Sequence, residues 1–169
     1  TTLSALRSAG HAVVAFDQRG CGLSDKDFAE NTISLGAEDA LAVLRQAGID
    51  RAAVNGWSLG GAIATETASR LGTRCAGLVL TAAATPRYVQ APDYPHGNPP
   101  GGPTATVDVL RQDRANFFDG LTKAVCAVPQ SQAVNTWLWS LFMQTSPCAD
   151  AALADLDGLD QRAMLAALD

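Results

Sequence analysis

Residues 53–64 read AVNGWSLGGAIA, and this stretch decides the fold. A short apolar run, residues 52–55, has the look of a buried strand. Behind it Ile63, Ala64, Thr67 and Leu71 recur at helical spacing over residues 60–71. Between the two sits Gly56-Trp57-Ser58-Leu59-Gly60, a GxSxG pattern in a strand–turn–helix setting. A serine on so sharp a turn holds strained backbone angles. Side chains two residues to either side would meet neighbouring backbone, which accounts for Gly56 and Gly60. The reading makes Ser58 a nucleophile projecting from the carboxyl end of a sheet. Leu59, first in the helix, offers its N–H to a developing oxyanion.

Working outward, the first half alternates helix and strand. Residues 2–9 read as the end of a helix with Leu3 and Leu6 on one face and Gly10 as its stop. HAVVAF (residues 11–16) reads as a buried strand. Ala37, Ala40, Leu41 and Leu44 make an amphipathic helix, with Ser34 as its expected cap and Gly48 as its end. GLVLT (residues 77–81) is a further strand, so the order implies an α/β layer with a largely parallel, buried sheet. Six of the eight prolines then fall between Pro86 and Pro103, a connector too long and too rich in breakers for a simple turn. Beyond it no strand pattern returns. Val107, Leu110, Phe117, Leu121, Ala124 and Val128 follow helical spacing, as do Val134, Trp137, Leu138, Leu141 and Phe142 behind a Ser131 cap. Pro147 and Asp150 restart a leucine-rich helical region. The expected organisation is an α/β core over residues 1–85, a connector over 86–103 and a helical region over 104–169.

Composition narrows the function classes. With 169 residues and 47% apolar content the chain can bury a real core. Its 17 acidic and 12 basic side chains give a net charge of −5, which argues against a nucleic-acid or anionic-membrane partner. No apolar run reaches the length of a membrane span. Four cysteines, Cys21, Cys75, Cys126 and Cys148, stand far apart without metal-site spacing, so no metal is expected and the thiols fit a reduced cytoplasm. The chain begins at Thr1 without methionine, so a preceding leader is compatible with it. Gly20-Cys21-Gly22 lacks the third glycine of a dinucleotide fingerprint, and no organic cofactor is implied either. The residues carry no signal of oligomeric state.

Taken with FDQRGCGLSD (residues 16–25) and TWLWSLFMQTSP (residues 136–147), the GWSLGG elbow resembles the α/β-hydrolase superfamily. Within it the chain is most similar to the cofactor-free haloperoxidase, perhydrolase and esterase group. The resemblance implies a partial α/β-hydrolase fold with a helical cap over residues 104–169. It also implies a serine hydrolase acting on a small-molecule carboxylic ester or related acyl substrate through an acyl-enzyme on Ser58. Residues 19–25 would brace the mouth of the site. Trp57, Trp137 and Phe142 are candidates for lining the substrate pocket. In this superfamily the acid and histidine of the triad follow the cap, and this chain ends at Asp169. It therefore looks like the middle of a hydrolase, inactive alone. His11 opens a strand at the wrong end of the sheet. His96 follows Ser58 but sits in the Pro/Gly connector, and reads as a solvated loop residue and not as the base. The alternative is a ligand-binding module of the same fold that performs no turnover.

Overall fold

A computed structural model describes residues 2–168; Thr1 and Asp169, the outer limits of the first and last expected regions, lie outside the described residues. In chain order the elements are α1 (Thr2–Ser8), α2 (Ile33–Gln46), β1 (Ala52–Trp57), α3 (Leu59–Leu71), β2 (Cys75–Thr81), α4 (Gly102–Ala124), α5 (Gln132–Phe142), α6 (Pro147–Ala154) and α7 (Arg162–Ala166). Short 3₁₀ turns at Gly72–Arg74 and Asp155–Asp157 follow α3 and α6.

β1 and β2 pair in parallel, with Val54 opposite Leu78 and Trp57 opposite Thr81. The crossover between them is α3, whose Ala62, Ile63, Ala64, Ala68 and Leu71 are buried. α2 packs on α3, and its boundaries follow from local chemistry. Thr32, not Ser34, caps it by accepting from the Leu35 N–H, while the Ser34 hydroxyl receives a hydrogen bond from Arg70. Thr32 takes the role because its backbone is extended and its oxygen lies three residues before a helical N–H. At the other end Gly48 adopts φ +68°, the left-handed geometry that ends helices, and its N–H donates to the Arg45 carbonyl.

The sheet is smaller and barer than the sequence suggests. No ladder engages residues 11–16 among the described residues, so the expected HAVVAF strand is not formed; Val14 and Phe16 are exposed. A strand exists only through a neighbour, and apolar β-branched residues do not supply one. The sheet is also not buried on both faces: Val79 looks outward from β2 at 52% exposure. α3 covers one face alone among the described residues.

The core joins distant parts of the chain. Ile33 and Ala37 of α2, Ala62 and Ile63 of α3, Ala84 and Leu156 form one cluster, with Leu153 and Leu159 packed against it. Gln161 reinforces this from the C-terminal side, donating from Nε2 to the Ala62 carbonyl at 2.8 Å. The Pro/Gly connector is tied down by bridges between Val89 and Asn98 and between Ala91 and Tyr94, with Val89 buried. Ion pairs of Arg87 with Asp160 and of Arg162 with Asp93 clamp it to the start of α7.

α4 is two helical runs joined at Asp113, whose φ/ψ of −151°/79° break the helix. Asp113 caps the second run by accepting from the Asn116 N–H. α5 begins at Ser131, which accepts from the Val134 N–H. The Trp139 indole N–H donates to the Ala115 carbonyl and fastens α5 to α4. The last leucine-rich stretch forms α6, a 3₁₀ turn and α7. No helix among the described residues is long and apolar enough to cross a membrane.

Candidate active site

Ser58 stands between β1 and α3 with φ +52° and ψ −124°, a conformation that costs a non-glycine residue about 1–3 kcal/mol. Its backbone is fastened on both sides. The Ser58 N–H donates to the Thr81 carbonyl at 3.2 Å, and its own carbonyl accepts from Gly61 and Ala84, each at 2.9 Å. The end of β2 and the turn after it thus hold the strain. Leu59 opens α3, where first-turn N–H groups have no helical acceptor and the positive end of the helix dipole lies.

The glycines divide their work unequally. A Cβ on Gly56 would lie 2.1 Å from the Gly60 carbonyl oxygen, so no other residue fits there without displacement. A Cβ on Gly60 would meet only the end of Gln18, at 3.5 Å. The second tight position is Gly61, where a Cβ would come within 2.2 Å of the Ala83 Cβ. The expected collision at Gly60 is absent because its Cα faces the cavity, while the helix turns Gly61 toward the β2 end.

A cavity of about 450 Å³ opens beside Ser58. Trp57, Ser58, Leu59 and Gly60 form one wall. Phe117 and Phe118 of α4, Phe142 of α5 and Leu153 of α6 form the facing one. Phe118 and Phe142 stack at 5.5 Å, giving that wall an aromatic floor. Trp57, Phe142 and Ser58 therefore meet at one site. Trp137 does not: it is 59% exposed and lies outside the cavity. It lies five positions before Phe142, about 140° around the axis, so the two cannot share a face.

The loop after residue 16 also reaches this cavity, through Gln18, Arg19 and Cys21. Arg19 holds both carboxylate oxygens of Asp39 at 2.7 and 2.8 Å, which raises its already high pKa and fixes the loop on α2. Asp17 accepts from the Leu23 N–H and closes the turn. Burial pushes the Cys21 thiol up, away from the reactive thiolate. All four cysteines are free and partly buried.

Neither histidine is among the residues lining the cavity. His96 is exposed and stands edge-on to Tyr94 at 5.3 Å. His11 is exposed before residue 12, its N–H on the Leu6 carbonyl. Among the described residues no group of three or more His, Cys, Asp or Glu side chains is placed to hold a metal ion.

One residue of the wall went unread in the sequence. Asp150, expected only to restart a helix, is 4% exposed, lines the cavity and pairs with Arg114 of α4. An arginine in the otherwise apolar helical pattern of residues 107–128 was the available signal. Burial holds the Asp150 carboxyl above the ordinary range, with the Arg114 hydrogen bond pulling the other way.

Comparison with known proteins gives this geometry a family context. A family model described as the alpha/beta hydrolase fold matches residues 2–162. The AB hydrolase superfamily protein YisY of Bacillus subtilis (strain 168) is 27% identical over 145 residues, covering 85% of this chain and 54% of its own length. The chain thus spans about half the length of this curated relative. Among solved structures, an esterase from Exiguobacterium antarcticum superposes with a TM-score of 0.83 at 26% identity, over 90% of this chain and 58% of the esterase. A bromoperoxidase from Bacillus anthracis superposes with a TM-score of 0.89 at 24% identity, over 99% of this chain and 63% of that one, a likeness of fold.

Proposed function

Because the chain belongs to the α/β-hydrolase family, we propose that it carries the nucleophile and acyl pocket of a serine hydrolase acting on carboxylic esters or related acyl substrates. The observation that carries this reading is Ser58 itself. A serine held at φ +52° by three backbone hydrogen bonds, at the start of a helix and in the wall of an apolar cavity, has no better structural explanation. Ser58 Oγ attacks the substrate carbonyl, the carbonyl electrons move onto oxygen, and the Leu59 N–H stabilises that oxyanion. Collapse expels the alcohol and leaves Ser58 acylated; water, or peroxide in a perhydrolase variant of the reaction, then releases the acyl group. Phe118, Phe142 and Trp57 shape the pocket for small apolar or aromatic groups.

The proton of Ser58 needs a base that neither His11 nor His96 provides, since neither lines the cavity. Loss of a triad histidine costs on the order of 10⁶ in kcat. These 169 residues alone are therefore expected to be inactive. The test is hydrolysis of p-nitrophenyl butyrate. We expect no turnover above Ser58→Ala for the 169 residues, and Ser58-dependent turnover for a longer chain that joins them to an acid and a histidine following the helical region. A Ser58-dependent burst from the 169 residues alone contradicts the assignment of the histidines. The same absence of a cavity histidine favours a second reading, a binding module without turnover; a longer chain that binds esters but never hydrolyses them selects it.

A further inference from the structure

Asp150 poses a problem that stability does not solve. A carboxylate taken this far from water costs several kcal/mol, and a buried ion pair is often no more stable than apolar residues of the same volume. Its partner Arg114 donates to Asp150 Oδ2 and to the Thr145 hydroxyl, and lies over the Phe118 ring at 5.5 Å. A tie between α4 and α6 uses one carboxylate oxygen. The other, Oδ1, meets no protein donor among the described residues, although the residue is 96% buried by its 4% exposure and stands in the cavity wall.

Several polar neighbours in that wall have already committed their donors. Arg19 gives its N–H groups to Asp39 and to the Glu30 carbonyl. The Asn31 amide donates to the carbonyls of Cys148 and Ala149. The hydroxyls of Thr106 and Thr145 donate to the carbonyls of Gly102 and Phe142. What Asp150 adds to the apolar wall is an acceptor. Since Arg114 already balances its charge, a ligand cation would sit beside a guanidinium, whereas a neutral donor meets no such opposition.

We propose that Asp150 is a specificity-determining residue whose unshared carboxylate oxygen selects substrates bearing a neutral hydrogen-bond donor, a hydroxyl or an amide N–H, on the apolar group held in the cavity. This rests on the reading of the Ser58 cavity as the substrate pocket. The chemistry is that of asymmetric discrimination: an acceptor that opens onto the cavity, stripped of water by a ligand lacking the donor, is penalised by the desolvation it cannot recover.

The test reads binding, without turnover. Acetophenone and its 3- and 4-hydroxy, 3- and 4-acetamido and 3- and 4-methoxy derivatives are titrated into the full chain by calorimetry. At least one hydroxy or acetamido ligand is expected to bind about tenfold or more tightly than its methoxy counterpart, the scale of a hydrogen bond to a charged group. Preference for hydroxy alone assigns hydroxylated substrates; preference for acetamido alone assigns amide-bearing ones. In Asp150→Asn, checked for folding by circular dichroism, the ratio should fall below about threefold. If that variant does not fold, nuclear Overhauser contacts between the preferred ligand and Leu153 or Phe118 in the wild-type protein stand in its place. Equal affinities, no measurable binding, a ratio unchanged in folded Asp150→Asn, or a ligand bound away from Leu153 and Phe118 each overturns the proposal. An unreactive Ser58 would instead refute the nucleophile and leave these affinities to be judged separately.

Discussion

The carboxyl end of the β1–β2 pair and its uncovered face differ in how they are held, and that contrast organises the molecule. At the carboxyl end the backbone of Ser58 is bonded to the end of β2 and the turn beyond it, Gly56 and Gly61 sit in contacts that admit no side chain, and aromatic residues from α4 and α5 face the serine. Across the sheet face not covered by α3, Val79 of β2 points into solvent, and residues 11–16 run without a ladder. The strained serine sits where the packing is over-determined, because a strained residue persists only when its surroundings leave it no alternative. The bare face has the composition of a core but lacks a cover among the described residues.

If the contrast is right, substitutions on the two sides should differ sharply. Phe118→Ala removes a buried ring that stacks on Phe142 and lies under Arg114, and should cost about 3 kcal/mol in urea unfolding. Trp137→Ala, a larger deletion on the exposed face of α5, should stay within about 0.5 kcal/mol. A large effect at Trp137 would show that the cavity wall has been assigned to the wrong face of the helix.

The turn offers a finer comparison. Gly56→Ala drives a Cβ into the Gly60 carbonyl and should cost about 2–3 kcal/mol, whereas Gly60→Ala should change stability by less than about 1 kcal/mol. Thermal melts of the two variants side by side decide this. Equal losses would mean that both flanking glycines are sterically required, as the bare motif suggests.

On the bare face, Val79→Thr should leave unfolding free energy within about 1 kcal/mol of wild type while lowering self-association in sedimentation velocity. Unchanged association would remove the open sheet face as its cause. The smallest effect concerns the connector. Hydrogen bonds from Arg162 hold the carboxyls of Asp93 and Asp160 below the ordinary range. A lowered folded pKa stabilises the fold above the unfolded value, near 3.8, and that contribution disappears as pH falls through the folded value. Amide exchange of residues 88–98 should therefore rise below about pH 4 before the core yields. Simultaneous exchange of core and connector would contradict it.

The elbow was legible because its demands are local: a strand, a strained serine, a helix and the glycines that permit the turn lie within a dozen residues. α2, α4 and α5 were legible from periodicity, since apolar residues three and four apart must share a face. What sequence could not supply was pairing. HAVVAF has strand composition but forms no ladder, because a ladder depends on a neighbour that composition does not name. Helical spacing likewise marked both Trp137 and Phe142 as apolar without saying which faced Ser58. Asp150 was hidden for a related reason: its partner Arg114 is 36 residues away and meets it only where α4 packs on α6.

The central claim is that Ser58 is a nucleophile whose base lies outside these residues' own histidines. Fluorophosphonate labelling with the modified residue mapped by mass spectrometry tests it directly. The account predicts that the 169 residues label no faster than Ser58→Ala, and that a longer chain carrying an acid and a histidine after the helical region labels at Ser58 alone, with Ser58→Ala abolishing it. Rapid labelling of Ser58 in the 169 residues, lost in His96→Ala, or labelling of the longer chain at any other residue would contradict the claim.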